Sequence, residues 1–216
     1  MIIAGSVSDD IVEKWLKAWS LSRQLPLPVR YQSGFKVEVG EEKQKRRYVF
    51  SELNNDFIEL SKQIDEPWIY LKVCASPDEV KNVVPEKWVI QPPGYMMFCA
   101  GSMKAAAKDL GKGYRIESEK YNSTTVIKII AENGELASVG RIVIVDDLAV
   151  YDRIITEEKH QRKGLATFLM QQLEKTALSE GILNNLLVAT EKGRVLYQSM
   201  GWELYSPYTS IVIPNI

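Results

Sequence analysis

The stretch His160-Gln161-Arg162-Lys163-Gly164-Leu165-Ala166-Thr167-Phe168-Leu169-Met170 constrains this chain more than any other. An apolar run over residues 148–155 precedes it and reads as a strand. Apolar residues at helical spacing follow it, namely Leu165, Phe168, Leu169, Leu173 and Ala177. The stretch is therefore predicted to be a strand-to-helix turn with basic side chains and a glycine. The first amides of a helix lack intrahelical partners and lie at the positive end of its dipole. Gly164 has no Cβ, so an anion can come close to the backbone, and Arg162 and Lys163 add charge. Two readings follow from physics alone: a phosphate or pyrophosphate seat, or a solvated basic helix start.

The order continues with a second strand over residues 183–189 and a second helix over 191–199. That helix carries Leu196-Tyr197-Gln198-Ser199-Met200 and runs into Gly201-Trp202. Residues 161–166 resemble the Q/R-x-x-G-x-G/A signature of the GNAT N-acetyltransferase superfamily, and residues 196–202 resemble its L-Y-x-x-x-G-F/W. The resemblance covers about residues 113–216. It implies an α/β fold of the α+β type, a mixed and mostly antiparallel sheet with flanking helices. It implies an N-acetyltransferase with acetyl-CoA as co-substrate and no metal.

Acetyl transfer to an amine sets four requirements. The cofactor must be held, the thioester carbonyl polarised, the amine deprotonated from a pKa near roughly 10, and the departing thiolate given a proton or hydrogen bond. The resemblance assigns holding of the pyrophosphate to the amides from Arg162 to Thr167, through Lys163, Gly164, Leu165 and Ala166, with Gln161 opening the turn. It places Ile154, Ile155 and Thr156 where strand backbone groups bond the pantetheine arm. It also implies that this strand splays from its neighbour and frees an N–H for the oxyanion. Tyr197 matches the family's general acid; an amphipathic helix burying a Tyr beside Leu196 and Met200 is the plainer reading. Thr190 stands where the family often has an asparagine, and it suits a helix cap as well as a pantetheine contact.

The general base is left open. Asp152 is the candidate, as an acid in an apolar strand, two residues before Ile154 and so on the face of Ile154 and Thr156. An ion pair with Arg141 or Arg153 explains it equally, and Glu117 and Glu119 are further options. His160, the single histidine, is expected to meet phosphate or solvent among its basic neighbours. One histidine and two scattered cysteines, Cys74 and Cys99, give no metal constellation.

Residues 1–100 form the other part. A helix over 8–22, two strands over 35–39 and 47–50, a helix over 53–64 and a strand over 68–73 precede a short helix from Ser76 and two strands over 88–90 and 95–98. Strand-strand-helix-strand-helix-strand-strand is also the order after residue 135, so this part reads either as a degenerate half of the same fold or as an unrelated small α/β domain. Its turn, residues 50–56, is acidic and would repel pyrophosphate. Residues 101–112 form the linker: a short helix over 103–110 is one reading, but the flanking Gly101, Gly111 and Gly113 argue for flexibility; the cofactor domain spans 113–216. Family members place two helices between the first two strands, on the acceptor side. Here only residues 121–123 separate them, so residues 1–100 are expected to supply that wall.

With 216 residues, 45% hydrophobic, 25% charged and a net charge of -1, the chain shows no general attraction to nucleic acid or membranes. No apolar run approaches the roughly 20 residues of a bilayer span, residues 1–6 lack signal-peptide features, and the thiols fit a reduced cytoplasmic protein. The expected function is direct acetyl transfer to a small-molecule or peptide amine. A non-catalytic acyl-CoA-binding module with a partner-binding N-terminal part is the alternative. Neither the acceptor nor the oligomeric state is legible.

Overall fold

The computed structural model describes residues 7–104 and 109–215. The expectation for residues 1–6 lies outside the described residues, and the choice between a short helix and a flexible linker over 103–110 does so for residues 105–108.

The N-terminal half opens with α1 (Asp9–Ser22), which begins where Ser8 Oγ accepts from the Ile11 amide at 3.2 Å, with Asp9 and Asp10 in the first turn. There follow β1 (Val29–Tyr31), β2 (Gly34–Glu41), β3 (Gln44–Phe50), α2 (Asn55–Gln63), β4 (Ile69–Val73), α3 (Pro77–Lys81), β5 (Val89–Ile90) and β6 (Gly94–Ala100). The C-terminal half comprises β7 (Tyr114–Tyr121), β8 (Thr124–Ala131), β9 (Leu136–Val145), β10 (Leu148–Thr156), α4 (Leu165–Ser179), β11 (Asn184–Thr190), α5 (Glu191–Ser199) and β12 (Glu203–Val212). The fold is α/β of the α+β type, a large, mostly antiparallel sheet with flanking helices.

The two halves follow one plan. In each, two parallel strands are joined by a helix: β3 and β4 by α2, β10 and β11 by α4. Their last strands are exchanged. The sheet order is β1-β2-β3-β4-β12-β6-β11-β10-β9-β8-β7, with β5 also on β12. So β6 of the first half pairs with β11 of the second, and β12 of the second pairs with β4 of the first. The sheet hydrogen bonds of both halves are completed only by the exchange.

Side-chain alternation sends successive residues to opposite faces. Tyr151 joins Ile127, Ile129, Ile142 and Leu187 under Leu165, Phe168, Leu169 and Leu173 of α4. Val150, its neighbour, joins Val143, Leu186, Met96 and Val49 under Trp15, Leu16 and Trp19 of α1. The helix α1 thus crosses both halves on the face opposite α4. It lies on β9 and β10, where the two-residue turn after β7 leaves no room for helices of the C-terminal half's own. Each fully buried Leu or Val here contributes about 1.5–3 kcal/mol. A third cluster, Phe57 and Leu60 of α2 on Phe50, Leu71 and Ile211, closes the N-terminal half.

Candidate active site

The strands β10 and β11 pair in parallel only from Leu148↔Asn184 to Tyr151↔Leu187. Beyond that, β11 continues on β6 as far as Thr190↔Gly94, and β10 continues on β9 as far as Thr156↔Ser138. The two strands therefore part after Tyr151, and residues 152–156 have no strand partner on that side. The register of β10 against β9 shifts between Asp152 and Ile155, and Arg153 takes a φ of +52°, so the strand carries a β-bulge here.

The bulge resets the alternation and corrects the expectation that Asp152 and Ile154 share a face. Ile154 points to the α4 side, where a Cβ on Gly140 would come within 2.7 Å of its Cδ1. Asp152 points to the α1 side. Its Oδ1 accepts from Arg23 Nη2 at 2.8 Å and its Oδ2 from the Ser22 hydroxyl. The ion-pair partner is thus Arg23, not Arg141 or Arg153. Glu117 and Glu119 pair with Arg115 and Lys128 on the outer strands.

After β10 the chain makes a short 3-10 turn, Glu158–His160, and enters α4 through two left-handed residues, Arg162 at φ +62° and Gly164 at φ +79°. Gly164 is the N-cap, and no side chain caps α4. Its first amides stay available, and its first turn holds no acidic residue. A Cβ on Gly164 would meet nothing within 4 Å, so the glycine answers to the backbone conformation; space is not the constraint. The matching place in the N-terminal half is shut. Asn54 caps α2 by accepting from the Phe57 amide at 3.2 Å, and Asp56 lies in the first turn. There β3 and β4 stay paired to Phe50↔Val73, and the Cys74 amide bonds Phe50 O at 3.2 Å.

One cavity of about 720 Å³ gathers Ile154, Ile155, Thr156, Gln161, Arg162, Gly164, Leu165, Ala166, Thr167, Thr190 and Tyr197. It runs from the parted strand past the uncapped turn to α5, and among the described residues no carboxylate lines it. Tyr197 is 7% exposed, and burial pushes its phenol up to about 12. Thr190 caps α5 by accepting from the Gly193 amide at 3.2 Å. Gln161 braces the wall: its Nε2 donates to Thr156 O at 3.1 Å, and Lys192 Nζ donates to its Oε1 at 3.1 Å.

Two of the singled-out residues lie outside the cavity: Asp152, and Lys163, whose Nζ donates to the Tyr114 hydroxyl at 3.2 Å. His160 lines the cavity but is 9% exposed, with Nδ1 at 2.9 Å from the same Tyr114 hydroxyl. Its Nδ1 contact props the turn, while its Nε2 has no hydrogen-bond partner among the described residues. The sequence reading missed Lys192, Gly193, Val195 and Ser199, which α5 turns toward the cavity along its length. Their signal was the helix phase set by Thr190 and Tyr197 together. Among the described residues no group of three or more His, Cys, Asp or Glu could hold a metal ion.

Residues 101–202 match the acetyltransferase (GNAT) family. This part of the chain is a GNAT domain. Every residue lining the cavity falls inside the GNAT match. Among solved structures, a GCN5-related N-acetyltransferase from Kribbella flavida superposes with a TM-score of 0.70 at 13% identity, covering 98% of this chain and 97% of that one. A functionally unknown conserved protein from Staphylococcus epidermidis ATCC 12228 gives 0.61 at 9% identity, with 87% and 93% covered. A tandem GNAT protein from the clavulanic acid biosynthesis pathway gives 0.56 at 10% identity over 96% of both chains. At these identities the likeness is one of fold, and it spans both halves. No curated protein matches the sequence. The GNAT fold is that of acyl-CoA-dependent acetyl transfer.

Proposed function

We propose that this protein is an acetyl-CoA-dependent N-acetyltransferase that passes the acetyl group directly to an amine. The observation that carries this reading is the single cavity joining the uncapped N-terminus of α4 to Tyr197 along the parted edge of β10. The residues fit the cofactor: backbone amides of 164–167 and the nearby Arg162 and Lys192 for the pyrophosphate, and the unpaired edge of 154–156 for an extended amide-bearing arm. When bound, acetyl-CoA supplies the thioester carbonyl and the thiolate leaving group.

Tyr197 is the general acid. Its phenol stays protonated at neutral pH and donates as charge builds on sulfur. The freed N–H groups of the parted strand stabilise the oxyanion. Direct transfer suits the cysteines, since burial pushes Cys74 up to about 12 and also raises Cys99, and neither lines the cavity. Asp152 is engaged as an anchor of α1, so this reading routes no proton through it. The N-terminal half serves as a GNAT-like half with a shut cofactor seat, and its α1 forms the acceptor wall in a cytoplasmic enzyme.

Titration calorimetry with acetyl-CoA, and acetyl-CoA-dependent thiol release over a panel of amines, test the reading. Saturable binding with turnover of at least one amine is expected. Binding without turnover of any amine would favour the non-catalytic acyl-CoA-binding module, and no binding would overturn both.

A further inference from the structure

On the α1 face, β3 and β4 direct Arg47 and Lys72 inward, and among the described residues neither forms a contact ion pair; Asp152 and Glu41 favour the Arg47 charge only from a distance. The Arg47 residue is 6% exposed; its guanidinium carbon lies 3.4 Å from the Trp19 ring centre, and its Nε is 3.0 Å from the neutral Gln44 amide. Lys72 Nζ donates to Ser210 Oγ at 2.7 Å and lies 4.9 Å and 5.9 Å from the ring centres of Tyr70 and Tyr208. Among the described residues, neither cation has a carboxylate within 4.0 Å. Tyr208 is 5% exposed, and among the described residues its hydroxyl has no hydrogen-bond partner.

Burying charge without a counter-charge, or a hydroxyl without a partner, is unfavourable. Burial, and then Arg47 and Arg23, hold the Lys72 ammonium well below the usual lysine range. An anion among Lys72, Arg47 and Tyr208 would favour the charged form of both side chains and give the Tyr208 hydroxyl a partner. The cluster also adjoins the place where the chemistry is put. Arg23 lies over the same Trp19 ring at 4.6 Å and bonds Asp152, the first β10 residue past its pairing with β11.

We propose that Lys72, Arg47 and the Tyr208 hydroxyl hold an anionic group, carboxylate or phosphate, carried by the acceptor amine. This rests on the acetyltransfer reading and narrows its substrate class to amines bearing an anion a few bonds away. The cluster lies on strands of the N-terminal half and on β12, which the strand exchange brings to that half.

The test uses probes that differ only in the anion: L-amino acids, glycine and β-alanine against their carboxamides, and O-phosphoethanolamine against ethanolamine. Thermal shift is read with and without acetyl-CoA, so that anion binding stands or falls even if acetyl-CoA fails to bind. Thiol release is read alongside. The expected result is stabilisation by, or turnover of, an anionic member at least about tenfold better than its neutral counterpart. Which set wins distinguishes carboxylate from phosphate. Lys72→Met and Arg47→Gln should each erase the preference, and Lys72→Met, which keeps the unbranched apolar stem and removes a buried polar tip, should fold. Equal performance of the neutral members, a preference that survives in both variants, or no response to any anionic member would overturn the proposal.

Discussion

Arg23 Nη2 lies 2.8 Å from Asp152 Oδ1, and this pair ties the end of α1 to the strand that parts from β11. The same end is pinned twice more. Tyr121 Oη and Arg141 Nη1 both donate to Ser22 O, at 2.7 and 2.8 Å. Through these contacts the first helix of the chain becomes part of the C-terminal half.

Asp152→Asn should therefore act on stability. It leaves Arg23 facing Arg141 and Arg153 without its counter-charge. A partly buried charged hydrogen bond of this kind is worth about 1–3 kcal/mol. Urea denaturation should show a loss in that range, with acetyl-CoA affinity kept. A collapse of kcat with unchanged stability would instead put Asp152 in proton transfer.

At the cofactor turn, two substitutions separate backbone strain from charge. Gly164→Ala places a Cβ in open space at a φ of +79°, so it should cost about 1–2 kcal/mol of stability but keep acetyl-CoA binding. Gly164→Asp adds a carboxylate beside the uncapped amides and should abolish binding. Wild type should gain about 2.7 kcal/mol at a hundredfold excess over Kd. A normal thermal shift with Gly164→Asp would move the pyrophosphate elsewhere.

The turn, α4 and α5 were legible because local periodicity and two short motifs mark them, and the cavity gathers eleven residues singled out from those segments and from the end of β10. The faces of Asp152 and Ile154 were misjudged because a bulge at a non-glycine residue, Arg153, leaves no sequence signal while reversing the alternation. The Tyr114 partner of His160 was not legible because it lies 46 positions away. The exchange of β6 and β12 was beyond reach for the same reason. Strand pairing across some hundred residues is set by the register of both faces, and no local pattern states it.

That exchange makes a prediction about fragments. In residues 101–216, β11 would lose its β6 neighbour from Asn184 to Thr190, and β12 would lose β4, β5 and β6. Those edges and the α1 face of Val143, Val150 and Leu186 would be exposed. The fragment should aggregate or bind a hydrophobic dye and show no turnover. A soluble, monomeric, active fragment would show that the N-terminal half is dispensable.

Tyr197 is the sharpest test of chemistry. Its ring lies 6.1 Å from that of Trp202 and packs near Gly193, so Tyr197→Phe keeps the shape of the cavity. Melting temperature and acetyl-CoA affinity should change little. Loss of the hydroxyl removes an interaction that strengthens as negative charge builds on sulfur, so kcat should fall by about a hundredfold to ten-thousandfold. The pH dependence has a defined sign. Burial raises the folded phenol to about 12 while the unfolded one stays near roughly 10. The stability this contributes is fully present below the unfolded value and is lost as pH rises from there through about 12. Turnover in the wild type should show no alkaline loss from this group until pH nears its folded value, and the Phe variant should lack that late limb. Wild-type turnover in Tyr197→Phe would leave the residue a packing element of α5 and the thiolate protonated by water.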